Sequence, residues 1–553
     1  MPDILSISSP KIDVAVSDIA INYLNTLDFK NLPDLRKIVE DVFVNTQAAF
    51  AIRNQNVNKA AKWPIPNSLF PLQIALIISN CCPVCRVECG GNNSDEDKYP
   101  FAVYQHDGKN AGLYATSDSA LDRLIRVCDH LISVHDIKEV KSHLKLLVPI
   151  RSQNENPDLI AVANGIFDFR TKTLLPFSPE HVFLSKSRVA YNPDAVNVVI
   201  HNDNDGTDWD VESWIKELFD DPELVDLTWE ILSAIIRPYV RWNKMVLLYA
   251  TDGCNGKGTL CQLLRNLCGS WVSIPMAQFG DRFGLASLMG ALAVIVDENR
   301  VGSYLEESEE LKAAITHNVV HIEKKGKDTV DYIFHGLIVQ CVNQLDRTRD
   351  KSDSFYRRLL IVPFNKTFQN AERKYIKDDY LNRKDVLEYI LYRVLHMDHY
   401  EFSEPRACKL ALGVFKEANE TVLQFANEML PQCSWDLLPF GFLFDLYREW
   451  MRRNCPSSEV LSKNNFIDSV LKIVESNPEW TCRGRKTPVR PQGRMDWPEP
   501  LIDEYHLTGW GGAVSGYYTT KHLKSNYIGL IRVHPIGPPN QPSVGPIEPI
   551  PTN

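Results

Sequence analysis

The run Thr251-Asp252-Gly253-Cys254-Asn255-Gly256-Lys257-Gly258-Thr259 has the residue types of a phosphate cradle. An apolar run, Met245 to Tyr249, precedes it, and a helical pattern of Leu260, Leu263, Leu264 and Leu267 follows. Strand, glycine loop and helix is the context such a cradle needs. Glycines let backbone N–H groups turn toward an anion, the helix N-terminus adds positive dipole, and a lysine reaches the outer phosphates. Gly253, Cys254, Asn255, Gly256, Lys257, Gly258 and Thr259 are the expected contacts. The spacing departs from the common pattern twice. Thr251 stands where the first glycine usually lies. Gly258 stands where a Mg-binding hydroxyl usually lies, so Thr259 is the nearest hydroxyl. ATP and Mg2+ are the expected cofactors. An ordinary glycine turn has a similar composition, and the motifs downstream separate the two readings.

The apolar run Ala291 to Val296 ends in Asp297-Glu298. In nucleotide hydrolases this pair lets Asp297 hold Mg2+, directly or through water, while Glu298 polarises the attacking water. A further apolar run, Gly336 to Val342, ends in Asn343. An amide there orients water against a γ-phosphate without adding charge. A lone strand-end asparagine is usually a turn residue. Its value here lies in the order of glycine loop, acidic pair and amide, each at a strand end, where open α/β sheets collect ligands. Arg357 and Arg358 follow, before the run Leu359 to Val362. An arginine supplied by a neighbouring subunit neutralises transition-state charge. Two surface arginines would look the same in isolation.

Outside these motifs the chain is ordinary globular protein. It has 553 residues, too many for one core. With 44% hydrophobic and 24% charged residues it fits neither a disordered nor a fibrous class. The net charge of -10 excludes a uniformly basic, histone-like protein, but a ring can concentrate its cations in a channel. Lys324, Lys325 and Lys327 surround Gly326 in this acidic background. Mobile cations facing a pore would hold a single strand, and a solvated turn would carry the same residues. Arg483, Arg485, Lys486, Arg490 and Arg494 lie among glycines and prolines after Trp480. Such a loop grips phosphate, or is a plain basic surface loop. Cys82, Cys85 and Cys89, with Cys81 adjacent, are half a zinc site in spacing; without a second close pair, reduced core thiols are the favoured reading.

The stretch from about 160 to 365 resembles the helicase half of the viral, phage and plasmid primase-helicases. These are superfamily three helicases of the AAA+ group. The matching pieces are Asn164-Gly165-Ile166-Phe167-Asp168 with Leu175-Pro176-Phe177, and the loop Gly253 to Thr259 with its Asn255-Gly256-Lys257 core. Asp297-Glu298, Glu323 to Asp328, Asn343 and Phe355 to Leu359 follow in order. The resemblance implies ATPase roles for the motor residues, a hexameric ring, and a DNA-contacting hairpin near Lys324, Lys325 and Lys327. It also implies 3′-to-5′ movement.

The expected fold is α/β and multidomain: a central AAA+ P-loop ATPase with helical flanks and a winged-helix-like C-terminal domain. An accessory α/β domain is expected over 1–150, a helicase-associated collar over 151–238 and the motor over 239–385. A helical DNA-binding domain is expected over 386–532 and a proline-rich tail over 533–553. In the C-terminal part Val422, Phe425, Leu446, Tyr447, Trp450 and Phe466 recur at helical spacing, as core. Asn164-Gly165 reads as a hairpin turn. No primase signature is evident in 1–150.

The expected function is an ATP-dependent DNA helicase. It would translocate on single-stranded DNA and open forked duplex during replication of a phage, plasmid or integrative element. A separate primase or initiator is an expected partner. An origin-binding initiator whose ATP site drives ring assembly, and a P-loop kinase, are the alternatives. No apolar run is long enough for a membrane span and no signal layout is evident, so a bacterial host cytoplasm is expected.

Overall fold

A computed structural model describes residues 12–90, 95–281, 284–299, 304–305, 309–323, 329–343, 347–348, 350, 352–369, 373–454, 460–475, 477–510 and 523–537. It is mixed α/β, and the chain divides into two compact units, Met1–Leu412 and Gly413–Asn553. No described helix is long and apolar enough to cross a membrane.

The first unit begins with the helices Ile12–Leu24, Leu35–Gln55 and Pro71–Cys81, and continues with Asp118–Cys128 and Val134–Leu147. Pro71–Cys81 is central because its side chains are apolar nearly all round; Ile74, Ala75, Ile77 and Ile78 are fully buried. Its one buried polar residue, Gln73, donates to the Val16 carbonyl and to Thr46 Oγ1, at 3.2 and 2.8 Å. These helices share their core with the sheet formed by Val84–Glu88, Phe101–Tyr104, Tyr114–Ala115 and Ile150–Ser152. Antiparallel strands Leu159–Val162, Gly165–Asp168 and Thr173–Leu175 follow. The expected hairpin is present, with one shift. The turn is Ala163-Asn164, and Gly165 already lies in the second strand, paired with Val162. Glycine is needed there for close approach, since a β-carbon would lie 2.4 Å from the Leu175 carbonyl.

The centre of the unit is a five-stranded parallel sheet. Its strands are β1 (Met245–Tyr249), β2 (Trp271–Val272), β3 (Ala293–Val296), β4 (Leu337–Val342) and β5 (Leu359–Pro363), in spatial order β2-β3-β4-β1-β5. All residues of β3, β4 and β5 are buried, as parallel strands covered on both faces require. Helix α1 (Lys257–Cys268) follows β1 and buries Leu260, Leu263, Leu264 and Leu267 on the sheet. Each such side chain stabilises the unit by about 1.5–3 kcal/mol. The helices Pro222–Ala234 and Lys384–Leu395 complete this core. An antiparallel hairpin, Val319–Ile322 with Val330–Ile333, precedes β4. Its base meets the N-terminal sheet: the Ile333 N–H donates to the Cys89 carbonyl at 2.8 Å.

The second unit contains α2 (Thr421–Met429), β6 (Leu437–Pro439), α3 (Phe440–Asn454), α4 (Lys463–Glu475), β7 (Trp480–Thr481) and β8 (Gly529–Arg532). The strands form an antiparallel sheet in the order β6-β8-β7. Val422, Phe425, Leu446, Tyr447, Trp450 and Phe466 are its core, as their spacing predicts. A buried ion pair ties β8 to the residue before β6: Arg532 Nε donates to Asp436 Oδ1 at 3.1 Å. The proline-rich tail beyond residue 537 lies outside the described residues.

Candidate nucleotide site

The site is assembled at the carboxyl ends of β1, β3 and β4. After β1 the chain turns through Thr251 to Gly256. Cys254 and Gly256 take left-handed backbone angles, φ 53° and 89°. At Gly256 the requirement for glycine is double. Its φ is unfavourable to any side chain, and a β-carbon would lie 2.6 Å from Leu218 Cδ2. Asn255 braces the turn by donating its side-chain amide to the Asp252 carbonyl.

Helix α1 opens at Lys257, whose side chain is only 6% exposed. Burial lowers the pKa of its ammonium. The cost of burying it is offset by two acceptors. Nζ donates to Asn343 Oδ1 at 2.8 Å and to the Ala250 carbonyl at 3.4 Å. The amide that ends β4 and the lysine that starts α1 are thus in direct contact. Asn299, just past the acidic pair, donates to the Cys341 carbonyl at 2.9 Å and links the ends of β3 and β4.

A cavity of about 410 Å³ opens beside this loop. One wall is Cys254, Asn255, Gly256, Gly258 and Thr259, with Glu298 beside them. The rest of the lining consists of residues that belong to no motif. Trp214, Leu218, Phe368 and Ile376 make it apolar, and Arg373 and Lys377 add positive charge. They come from the segment before β1 and the segment after β5, so only the folded topology brings them to the loop. Arg373 is held by an ion pair with Glu217.

Asp297 is not a free carboxylate. Arg265, two turns along α1, donates from Nη1 to Asp297 Oδ2 at 3.0 Å and stacks on Trp271 at 4.7 Å. Behind the acid pair, Cys261 and Cys341 bring their sulfurs to 3.2 Å. Gly253 is exposed, with open space around its α-carbon. Arg357 is exposed, and Arg358 donates to the Ser354 carbonyl; neither lines the cavity.

Lys324, Lys325 and Lys327 lie outside the described residues. In the second unit Arg483, Arg485, Lys486 and Arg490 are exposed and Arg494 is half-buried. Arg485 pairs with Asp468 of α4 and donates to the Asn464 carbonyl at 3.3 Å. Cys81 and Cys82 are half-buried, and Cys85 and Cys89 are buried. Burial pushes the Cys82 thiol up to about 12 and the Cys85 thiol up to about 11. Among the described residues no metal-ligating group includes them.

Three families match successive segments. The family described as "D5 N terminal like" covers residues 92–220, and the one described as "Poxvirus D5 protein-like" covers 417–496. A "Family of unknown function (DUF5906)" covers 248–358, from the glycine loop to the arginine pair. Residues 92–220 and 417–496 are thus similar to D5-type proteins. The chain is also similar to "Putative helicase 184R" of Invertebrate iridescent virus 6, 21% identical over 277 residues. That match takes in 45% of this chain and 25% of the viral protein, so the chain spans about a quarter of that relative's length. Among solved structures, the NrS-1 C-terminal region in its A form aligns with 73% of the chain and 85% of its own, at TM-score 0.41 and 14% identity. A JCV helicase structure aligns with 37% of the chain and 58% of its own, at TM-score 0.24 and 18% identity.

Proposed function

We propose that this chain is an ATP-dependent DNA helicase that moves along single-stranded DNA to open duplex during replication of a viral, phage or plasmid genome. The observation that carries the reading is the 2.8 Å contact between Lys257 and Asn343 beside the cavity that Glu298 lines. The strand order β2-β3-β4-β1-β5, all parallel, supports an AAA+ motor, with ligand expected where the connections reverse. The cavity size suits a nucleotide. Its apolar wall of Trp214, Leu218, Phe368 and Ile376 suits a base, and its loop wall suits phosphates.

In this reading the backbone of Gly253 to Gly258 cradles the phosphates and Lys257 neutralises their outer oxygens. Thr259 and Asp297 would hold Mg2+, which supplies charge neutralisation on those oxygens when bound. Glu298 polarises the attacking water. Asn343 holds the lysine and senses whether a γ-phosphate has replaced it as partner. Arg357 or Arg358 acts on the neighbouring subunit's nucleotide, since neither reaches the site of its own chain. Such trans action implies a ring, here a hexamer, and Lys324, Lys325 and Lys327 are the cations that would hold the DNA strand.

The second unit is proposed as a winged-helix-like DNA-binding domain. Its order of helix, strand, two helices, strand, short helix Pro500–Glu504 and strand supports this, as do the exposed residues Lys463, Asn464, Asn465 and Lys472 on α4. Arg483, Arg485 and Lys486 lie in the loop after β7 and would grip phosphate. This unit also favours a second reading, an origin-binding initiator in which ATP serves assembly alone.

The test is ATP hydrolysis by wild type and Lys257→Ala, with and without single-stranded DNA. The motor reading expects turnover that DNA stimulates and that the variant lacks. Turnover indifferent to DNA would favour a kinase-like phosphotransferase, and no turnover at all would favour the initiator.

A further inference from the structure

The position after the loop lysine, Gly258, lacks the hydroxyl expected there, and its surroundings explain what occupies the space. A β-carbon built on Gly258 would lie 3.3 Å from Asp297 Oδ1 and 3.8 Å from Lys377 Nζ. Two opposite charges therefore converge on the first turn of α1. The carboxylate comes from the end of β3. The ammonium comes from the short helix Lys374–Asp378, which follows β5.

Lys377 lines the cavity together with Gly258, Thr259 and Glu298. Arg373 on the same wall is already engaged by Glu217. A β-carbon alone would meet the Lys377 ammonium in ordinary contact, but a larger side chain at position 258 would extend into the space beside it. Lys257 is buried, whereas Lys377 is exposed and lines the cavity.

We propose that Lys377 contacts the phosphates of the bound nucleotide within its own chain, as a second cation facing Lys257, and that Gly258 leaves it room. The proposal rests on the nucleotide-binding reading above. It concerns electrostatic binding: a long flexible lysine placed where negative charge accumulates, in a site whose other first-turn group is a hydroxyl.

The experiment measures equilibrium binding of ATP and of AMP to the full chain, by competition against a fluorescent ATP analogue. It compares wild type, Lys377→Gln, Lys377→Arg and Lys257→Ala. Lys377→Gln is expected to weaken ATP about tenfold and leave AMP unchanged, since AMP lacks the outer phosphates. Lys377→Arg is expected to restore most of the loss. Gly258→Val, which fills the gap, is expected to weaken ATP as Lys377→Gln does. Equal weakening of ATP and AMP by Lys377→Gln would indicate a structural role and overturn the proposal. So would unchanged ATP binding by Lys377→Gln while Lys257→Ala loses it. If Lys257→Ala binds ATP as wild type does, the nucleotide reading itself fails, and the proposal with it.

Discussion

Lys257 Nζ donates to Asn343 Oδ1 at 2.8 Å, joining the helix that follows β1 to the end of its sheet neighbour β4. The contact gives a buried ammonium a neutral partner that a phosphate oxygen can replace. A carboxylate in place of the amide would hold the lysine by charge and compete with phosphate. Asn343→Asp is therefore expected to weaken ATP binding, and Asn343→Ala to lower turnover roughly 10- to 100-fold with smaller change in binding. Steady-state hydrolysis together with nucleotide titration separates the two effects.

Gly256 sets the shape of the loop. Gly256→Ala forces a side chain into φ 89° and into Leu218. The backbone conformation alone costs about 1–2 kcal/mol, and the collision adds to it. Loss of ATP binding with the second unit's unfolding transition unchanged is the expected result, read by nucleotide titration and thermal unfolding.

Arg265 occupies one oxygen of Asp297 at 3.0 Å. A cation at that carboxylate competes with a divalent ion for the same charge. Arg265→Gln is expected to lower the Mg2+ concentration giving half-maximal hydrolysis. A rise in that concentration would mean that Arg265 instead holds Asp297 in its working position.

His317 and His335 flank the hairpin before β4, and their rings meet edge to face at 5.2 Å. Burial lowers the pKa of His317 to about 4 and that of His335 to about 3, with Arg241 adding in the same direction. Folded values below the unfolded value mean that the neutral pair stabilises the fold above about pH 6.5, and that this stability is lost as pH falls toward 4. Hydrogen exchange over residues 319–333 should therefore be less protected at pH 5 than at pH 7.5, relative to a His335→Phe variant. Equal protection in the two proteins at both pH values would contradict this.

Most of the loop wall was legible in the sequence. Met245–Tyr249, Ala293–Val296 and Leu337–Val342 are apolar but for the buried Gln340, and polar residues follow each within two positions, a pattern that a buried parallel strand imposes locally. Trp214, Phe368, Arg373 and Lys377 carried no such mark. They lie in segments before and after the sheet and meet the loop through tertiary packing, which spacing along the chain does not encode. Gly165 shows the same limit at short range: its dipeptide signals a turn, but its role is to let the Leu175 carbonyl approach. The strands β6, β7 and β8 are only a few residues long, too short for alternation to be read, so helical spacing alone marked the second unit.

The central claim is that ATP turnover at this site separates DNA strands. Strand displacement on a forked duplex, with ATP and Mg2+, tests it most directly, comparing wild type with Glu298→Gln. The account predicts that wild type releases the labelled strand, while Glu298→Gln binds ATP and releases none. Unwinding by Glu298→Gln at the wild-type rate, or ATP hydrolysis by wild type with the duplex left intact, would contradict it.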